Sequence, residues 1–263
     1  MEEEIRRFLK TKWAGQNLFC YDEIDSTNTC VLKLGEAGAM HGTVVVADQQ
    51  NMGKGRRGRN WVSPPKTNIY MSLLLRPCFE AVKAPMLTLL MAYSVAEALM
   101  ELEQVDAKIK WPNDIVLNKK KICGILTEMM MKEQTIDYVV IGVGVNVNVE
   151  SIPQELRESA TSLRIETGRE LSRAALLARV LEKFEENYEQ FCKAGDLSLI
   201  QDGYNRILVN AGNQVRILEP GNEYHGLAHG INHLGELQVE KEDGTEVFIF
   251  AGEVSVRGIY GYV

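Results

Sequence analysis

Gly53-Lys54-Gly55-Arg56-Arg57-Gly58-Arg59-Asn60-Trp61 sets four cations within six positions of a chain whose formal net charge is −7. Glycines let a backbone approach a ligand closely and adopt positive φ. Arginine forks match phosphate oxygens in a bidentate way. The stretch is therefore suited to gripping a phosphate ester. Gly53, Gly55 and Gly58 also satisfy the G-x-G-x-x-G spacing of dinucleotide-binding folds. That fingerprint needs an apolar helix directly after the glycines and an acidic residue about 20 positions on. The chain instead continues Val62-Ser63-Pro64-Pro65, and near position 75 it reads Leu74-Leu75-Arg76-Pro77. The Rossmann reading is rejected, and the alternative to a phosphate-gripping loop is a solvated basic loop.

Outward from the loop, Thr43 to Ala47 and Ile69 to Leu75 are short apolar runs and read as buried strands. Upstream, residues 2–13 read as a helix and Leu18 to Asp22 as a strand. Asp25-Ser26-Thr27-Asn28 supplies N-cap residues for a helix to about Leu34. Downstream, Pro85 to Leu102 has helical periodicity with proline in the first turn. Lys108 to Trp111 is a short strand stopped by Pro112. Ile115–Leu117 and Ile122–Met130 form a hairpin around Asn118-Lys119-Lys120, and Tyr138–Val149 is a further strand. Residues 150–170 read as loop. Ser172 caps a helix to about Phe191, striped by Leu176, Leu177, Val180, Leu181, Phe184 and Tyr188. After Asn210, alternating apolar residues among Gly and Asn predict a small β-barrel. The expected division is 1–210 for an α/β unit and 211–263 for the barrel.

With 263 residues, 45% of them hydrophobic, the chain can bury a sizeable core. Its acidity argues against general nucleic-acid binding, which needs a basic surface. Five scattered cysteines without a C-x-x-C pair read as reduced thiols. The acidic Met1-Glu2-Glu3-Glu4 start is unlike a signal peptide, and no apolar run reads as long enough for a membrane span. The expected location is the cytoplasm. His225, His229 and His233 recur every four residues, a possible zinc face on a helix, but Gly226, Gly230 and Gly235 argue against a helix there. No H-E-x-x-H motif, Walker loop or Ser-His-Asp order is present.

Three further clusters carry polar chemistry. In Lys110-Trp111-Pro112-Asn113-Asp114, proline fixes the backbone and can aim Lys110 and Asp114; the same residues also suit a strand-ending turn. Lys121 opens a strand that carries Gly124, where a ligand can approach, and could hold a carboxylate or developing phosphate charge. It is equally one of three lysines at a hairpin tip. Gly142-Val143-Gly144-Val145-Asn146 leaves room above a strand and ends in an amide, as tight sheet packing also would.

Taken in order, Asp25–Asn28, Gln50 with the 53–61 loop, Lys110–Asp114, Lys121–Leu126, Gly142–Asn146 and Gly252-Glu253-Val254-Ser255-Val256-Arg257 resemble the biotin protein ligase family over residues 18–258. The resemblance implies a mixed-sheet biotin/lipoate-ligase-like catalytic domain of α/β (α+β) class, followed by a small SH3-like β-barrel. It implies ATP-driven formation of biotinyl-5′-AMP, with Mg²⁺, and transfer of biotin to a lysine of a biotin carboxyl carrier protein. Ser26, Thr27, Asn28 and Gln50 would contact the ureido ring, with Gly53, Lys54, Gly55, Arg56, Lys121 and Gly124 completing the biotin site. Arg56, Arg59, Trp61, Lys110, Asn113, Lys121 and Asn146 would hold ATP or the adenylate. Lys121, Arg56, Lys110 and Asp114 would be the catalytic set. No metal ligands are implied by name, and a homodimer is expected.

Two departures stand out. The family loop usually opens Gly-Arg-Gly-Arg, and Lys54 replaces the first arginine, keeping the charge but losing the fork. Some members carry an N-terminal helix-turn-helix; the 17 residues before Leu18 are too few for one, so no DNA binding is expected. A lipoate or octanoate ligase or transferase would share the fold, and a non-catalytic biotin-binding protein would share the pocket. Ser26, Thr27 and Gln50 favour a ureido ring, and Lys121, Arg56 and Arg59 favour catalysis.

Overall fold

The computed structural model describes residues 1–219, 222–250, 255–258 and 262–263. Seven strands form one mixed sheet: β1 (Leu18–Ile24), β2 (Val44–Gln50), β3 (Ile69–Leu75), β4 (Lys108–Lys110), β5 (Asp114–Leu117), β6 (Lys120–Lys132) and β7 (Thr135–Val145). Their order is β1-β2-β3-β7-β6-β5-β4. Only β1 and β2 run parallel, and the remaining neighbours pair antiparallel. The β1–β2 crossover is α2 (Thr27–Glu36), capped by Ser26, whose hydroxyl accepts from Thr29 N.

Both faces of the sheet centre are covered, which is why β3 is a continuous apolar run rather than an alternating one. Val44, Val46, Leu73 and Leu75 face a large core shared with α3 (Met86–Glu103) and α5 (Arg173–Ala194). Val45, Leu74 and Val140 face the other way, onto Val31 of α2. The run Ala81–Glu103 is long and apolar enough to cross a membrane by length and composition. This amends the expectation that no such stretch exists. Two-thirds of its apolar window (67%) is buried inside the fold, as for a core helix.

The stretch 150–170 is not all loop. Ser162 caps α4 (Leu163–Thr167), and Gly168 ends it in the left-handed conformation. A second short helix, α6 (Gln201–Arg206), precedes the C-terminal strands. The sheet strand expected to reach Val149 ends at Val145, where Asn146 and Asn148 turn to cap neighbouring backbone.

Beyond Asn210, five strands form a second, antiparallel sheet in the order β11-β10-β9-β8-β12. They are β8 (Gln214–Glu219), β9 (Asn222–Ile231), β10 (Leu237–Lys241), β11 (Glu246–Ile249) and β12 (Ser255–Gly258). No pairing joins β11 to β12 among the described residues, and this antiparallel sheet is the small C-terminal β unit that was expected. His225 and His229 lie on β9, a strand, as the neighbouring glycines imply. His229 Nε2 sits 2.9 Å from Glu240 Oε2, and no group of three or more His, Cys, Asp or Glu among the described residues could hold a metal.

Candidate active site

The site lies on the α2 face of the large sheet, just beyond the N-terminus of α2. Strand alternation explains the space. The residues of β7 sharing a face with Val140 are Gly142 and Gly144, and their cross-strand partners are Ser72 and Tyr70 on β3 and Leu126 and Gly124 on β6. Two glycines on one strand and a third beside them remove the side chains that would fill this face.

Polar residues from α2 enter the gap. Ser26, Thr27 and Asn28 are all buried. Gln50 Oε1 accepts from Thr27 N at 2.9 Å and from Thr27 Oγ1 at 3.1 Å. The Gln50 amide nitrogen donates to Ser63 Oγ at 3.0 Å. Asn28 donates to Glu128 Oε2 at 2.7 Å, while its Oδ1 lies 2.6 Å from the buried Ser72 hydroxyl. A methyl group at Gly142 would overlap Asn28 Oδ1, so glycine is required for that side chain to lie flat on the sheet. Ser72, Ser63 and Glu128 belong to this network and were not among the sequence candidates. Ser72 left a signal: it is the one polar residue in the apolar run of β3.

The glycine-arginine loop is a tight hairpin. Lys54 pairs with Asn60 as an antiparallel bridge, Gly55 N donates to Arg59 O at 2.7 Å, and Trp61 N donates to Gly53 O at 2.8 Å. Arg57 and Gly58 turn it through positive φ. The hairpin brings Arg56 Nη1 to 2.7 Å from Asn113 Oδ1. It also lays the Trp61 indole over the two glycines: Cβ atoms at Gly124 and Gly144 would come within 2.9 Å and 2.6 Å of the ring. Trp61 Nε1 is buried with no hydrogen-bond partner among the described residues. Gly124 makes room for Trp61 and for Lys121 Nζ.

The 110–114 cluster lines the same cavity as the indole. Trp111 is fully buried, donating from its backbone to Asn210 Oδ1 at 2.9 Å and from its ring to Gly235 O at 3.1 Å. It fastens the cluster to the C-terminal unit, and its peptide bond to Pro112 is cis. Lys121 Nζ pairs with Asp114 Oδ1 at 2.6 Å. Burial would raise the Asp114 carboxyl, but Lys121 and then Lys110 outweigh it and hold it below the usual carboxylate range. Burial pushes the Lys110 ammonium down to about 8, with the Asp114 charge opposing.

Two adjoining cavities result. The first is lined by Ser26, Thr27, Asn28, Gln50, Lys54 and Gly124, and the second by Arg59, Lys110, Asp114, Asn146, Val256 and Arg257. Gly55, Arg56, Trp61, Asn113 and Lys121 line both and form the wall between them. Gly53 lines neither; it is buried under the hairpin, where a Cβ would overlap Trp61 O. Gly252, Glu253 and Val254 of the C-terminal motif lie outside the described residues. Asp114 is the one carboxylate among the described residues lining the two cavities.

Residues 21–146 match the biotin/lipoate A/B protein ligase family, and residues 211–257 match the biotin protein ligase C-terminal domain. The chain is 39% identical over 249 residues to the bifunctional ligase/repressor BirA of Bacillus spizizenii, covering 93% of this chain and 76% of that one. It is 31% identical to the biotin–[acetyl-CoA-carboxylase] ligase of Mycobacterium tuberculosis, covering 87% of this chain and 85% of that one. Among solved structures, the Aquifex aeolicus biotin protein ligase in complex with biotin and ATP superposes with a TM-score of 0.81 at 32% identity, covering 92% of this chain and 99% of that one. Fold, site and sequence agree, and the chain belongs to the biotin protein ligase family.

Proposed function

We propose that this chain activates biotin with ATP, releasing pyrophosphate, and passes the biotinyl group from biotinyl-5′-AMP to a lysine of a biotin carboxyl carrier protein, releasing AMP. The observation that carries this reading is the shared wall. Arg56 and Lys121 stand where one cavity, lined by amides and hydroxyls, meets a second lined by cations. In this reading the biotin head sits against Ser26, Thr27, Asn28 and Gln50, with Lys54 and Gly55 closing over it. Its carboxylate points at Lys121. A carboxylate oxygen attacks the α-phosphorus, the P–O bond to pyrophosphate breaks, and Arg56 and Lys121 take up the charge that develops on the phosphoryl oxygens. Arg59, Lys110 and Asn113 hold phosphates, and Trp61 and Asn146 flank the adenine. The acceptor amine then attacks the acyl carbon with AMP as leaving group, and Asp114 orients that amine. Mg²⁺ would accompany the nucleotide and offset the charge of its phosphates.

The reading assigns 1–210 to catalysis and 211–263 to a unit that closes the nucleotide cavity through Val256 and Arg257. Five free cysteines support a reducing compartment, the cytoplasm. A homodimer belongs to the same reading. It is supported by the edge of β6 beyond Gly124, which β5 does not pair and which exposes Met129, Met130 and Met131.

Titration calorimetry with biotin and with lipoate tests the ligand. Tighter binding of lipoate would contradict the reading. The first cavity measures about 40 Å³ against about 560 Å³ for the second. Small-molecule sites begin at roughly 300 Å³, so the lining must give way when biotin enters, and in this reading the Trp61 indole leaves Gly124. Biotin should change the tryptophan fluorescence of the native chain and leave that of Trp61→Phe unaltered. An equal change in both would place the indole outside the event.

The second expectation concerns pH. Lys110 is charged below about 8 and neutral above it, so its hold on phosphate is lost as pH rises through that value. Pyrophosphate release should fall above pH 8, and Lys110→Arg, which cannot lose its charge in this range, should move that limb upward. An unchanged alkaline limb in Lys110→Arg would remove Lys110 from phosphate binding.

A further inference from the structure

Lys110 and Asp114 are paired directly across β4 and β5. Opposite charges on one face of neighbouring strands close into an ion pair unless something separates them. Here no ion pair joins them, and the Asp114 carboxylate pairs with Lys121 instead. The separator is Tyr262. Its hydroxyl donates to Asp114 Oδ2, and its ring face meets Lys110 Nζ at 4.1 Å from the centroid. Arg257 stacks near the same ring at 5.4 Å. Asp114 Oδ1 is taken by Lys121 at 2.6 Å and Asn113 at 3.0 Å, so the phenol is what fixes the other oxygen.

The segment is seated by a second feature. A methyl group at Gly258 on β12 would overlap the backbone carbonyl of Val263, so this glycine lets the residue after Tyr262 lie against the strand. Gly258 lies opposite Val215 of β8 and outside the lining of either cavity.

We propose that Tyr262 is a positioning residue for both half-reactions: a wedge that keeps Lys110 free for phosphate and holds Asp114 turned toward the incoming acceptor amine. This rests on the reading of the two cavities given above. It gives the C-terminal unit a direct part in the chemistry, because the only carboxylate among the described residues lining the cavities is oriented from that unit. The ring and the hydroxyl have separable tasks. The ring holds the two charges apart, and the hydroxyl sets the angle of Asp114.

Two measurements test this. The first separates the half-reactions: pyrophosphate release from biotin and ATP, and transfer from preformed biotinyl-5′-AMP to a carrier domain. Tyr262→Phe should lower transfer at least ten-fold more than it lowers pyrophosphate release. Tyr262→Ala should lower both at least ten-fold. Gly258→Ala, which leaves the phenol in place but obstructs its seat, should lower both in the same sense. A general folding defect would lower the two together in every variant, whereas the expected split in Tyr262→Phe would not arise from one. Native rates in Tyr262→Ala, or a native ratio of the two half-reactions in Tyr262→Phe, would overturn the proposal. The second needs no turnover: in a crystal structure of Tyr262→Ala, Lys110 Nζ should contact Asp114 directly. If the two stay apart without the ring, the wedge is refuted whatever the enzyme catalyses. A native chain that releases no pyrophosphate would instead contradict the activity.

Discussion

Lys121→Ala should lower formation of biotinyl-5′-AMP by roughly 10²–10³-fold, the range found on removing one preorganised charge-stabilising donor. Three observations set this expectation. Lys121 lies in the wall shared by the two cavities, where the carboxylate and the α-phosphate would meet. Its ammonium is held by Asp114 at 2.6 Å and lies 5.3 Å from the centroid of the Trp61 ring, so it is in place before any substrate arrives. A methyl group at Gly124 would approach that ammonium to 3.0 Å, so the strand is shaped to admit it. The effect should fall on turnover more than on the binding of biotin's ureido ring, which rests on Ser26, Thr27 and Gln50. Single-turnover pyrophosphate release checks this, and a loss smaller than ten-fold would remove Lys121 from the centre of the mechanism.

Asp114→Ala should be damaging in two ways. Asp114 is buried among Lys121, Lys110 and Arg56, and it is the only carboxylate among the described residues lining the cavities. Removing one partner of a buried charge cluster leaves the others uncompensated, at about 3–5 kcal/mol. Lys110 would then lose the one neighbouring charge that opposes its desolvation, and its pKa should fall below about 8. Denaturant melts should show the lost stability, and the alkaline limb of pyrophosphate release should move to lower pH. Asp114→Asn, which keeps the shape and an acceptor oxygen, should retain more stability than Asp114→Ala while still failing in transfer to the carrier lysine. Transfer at the native rate in Asp114→Asn would show that the negative charge is not what orients the amine.

Elements buried on both faces, or striped on one, were legible in the sequence. Ile69–Leu75 is apolar throughout because both faces of β3 are covered, and its ends coincide with the observed strand. The long helix after Ser172 shows an apolar stripe together with a cap at each end. The short helices α4 and α6 were not legible. One turn of helix has no periodicity to detect, and tertiary packing rather than propensity holds it. Strand order was not legible either, since β3 pairs with β7 across about 70 positions of sequence. The C-terminal β unit was legible from alternation, but alternation specifies which face is buried, not whether the sheet's edges meet.

The site shows the same division. Each motif was visible as a local oddity: four cations with glycines, a lysine before a proline turn, glycines within strands. That they meet at one indole could not be read from spacing. Ser72 and Glu128 join the network around Asn28 because they share its face across strands, and only Ser72 is anomalous in its own context. Tyr262 carries no local signal at all. Its meaning comes from Lys110 and Asp114, about 150 residues earlier, which the sheet pairs and the phenol separates.

The most direct test is to incubate the purified chain with biotin, ATP and a carboxyl carrier domain, and to measure AMP and streptavidin-reactive carrier together. The two should appear in equal amounts, neither without biotin, and the label should sit on a single carrier lysine. AMP formation without labelled carrier, or no AMP at all from active-site-intact protein, would contradict the assignment of these cavities to activation and transfer of biotin.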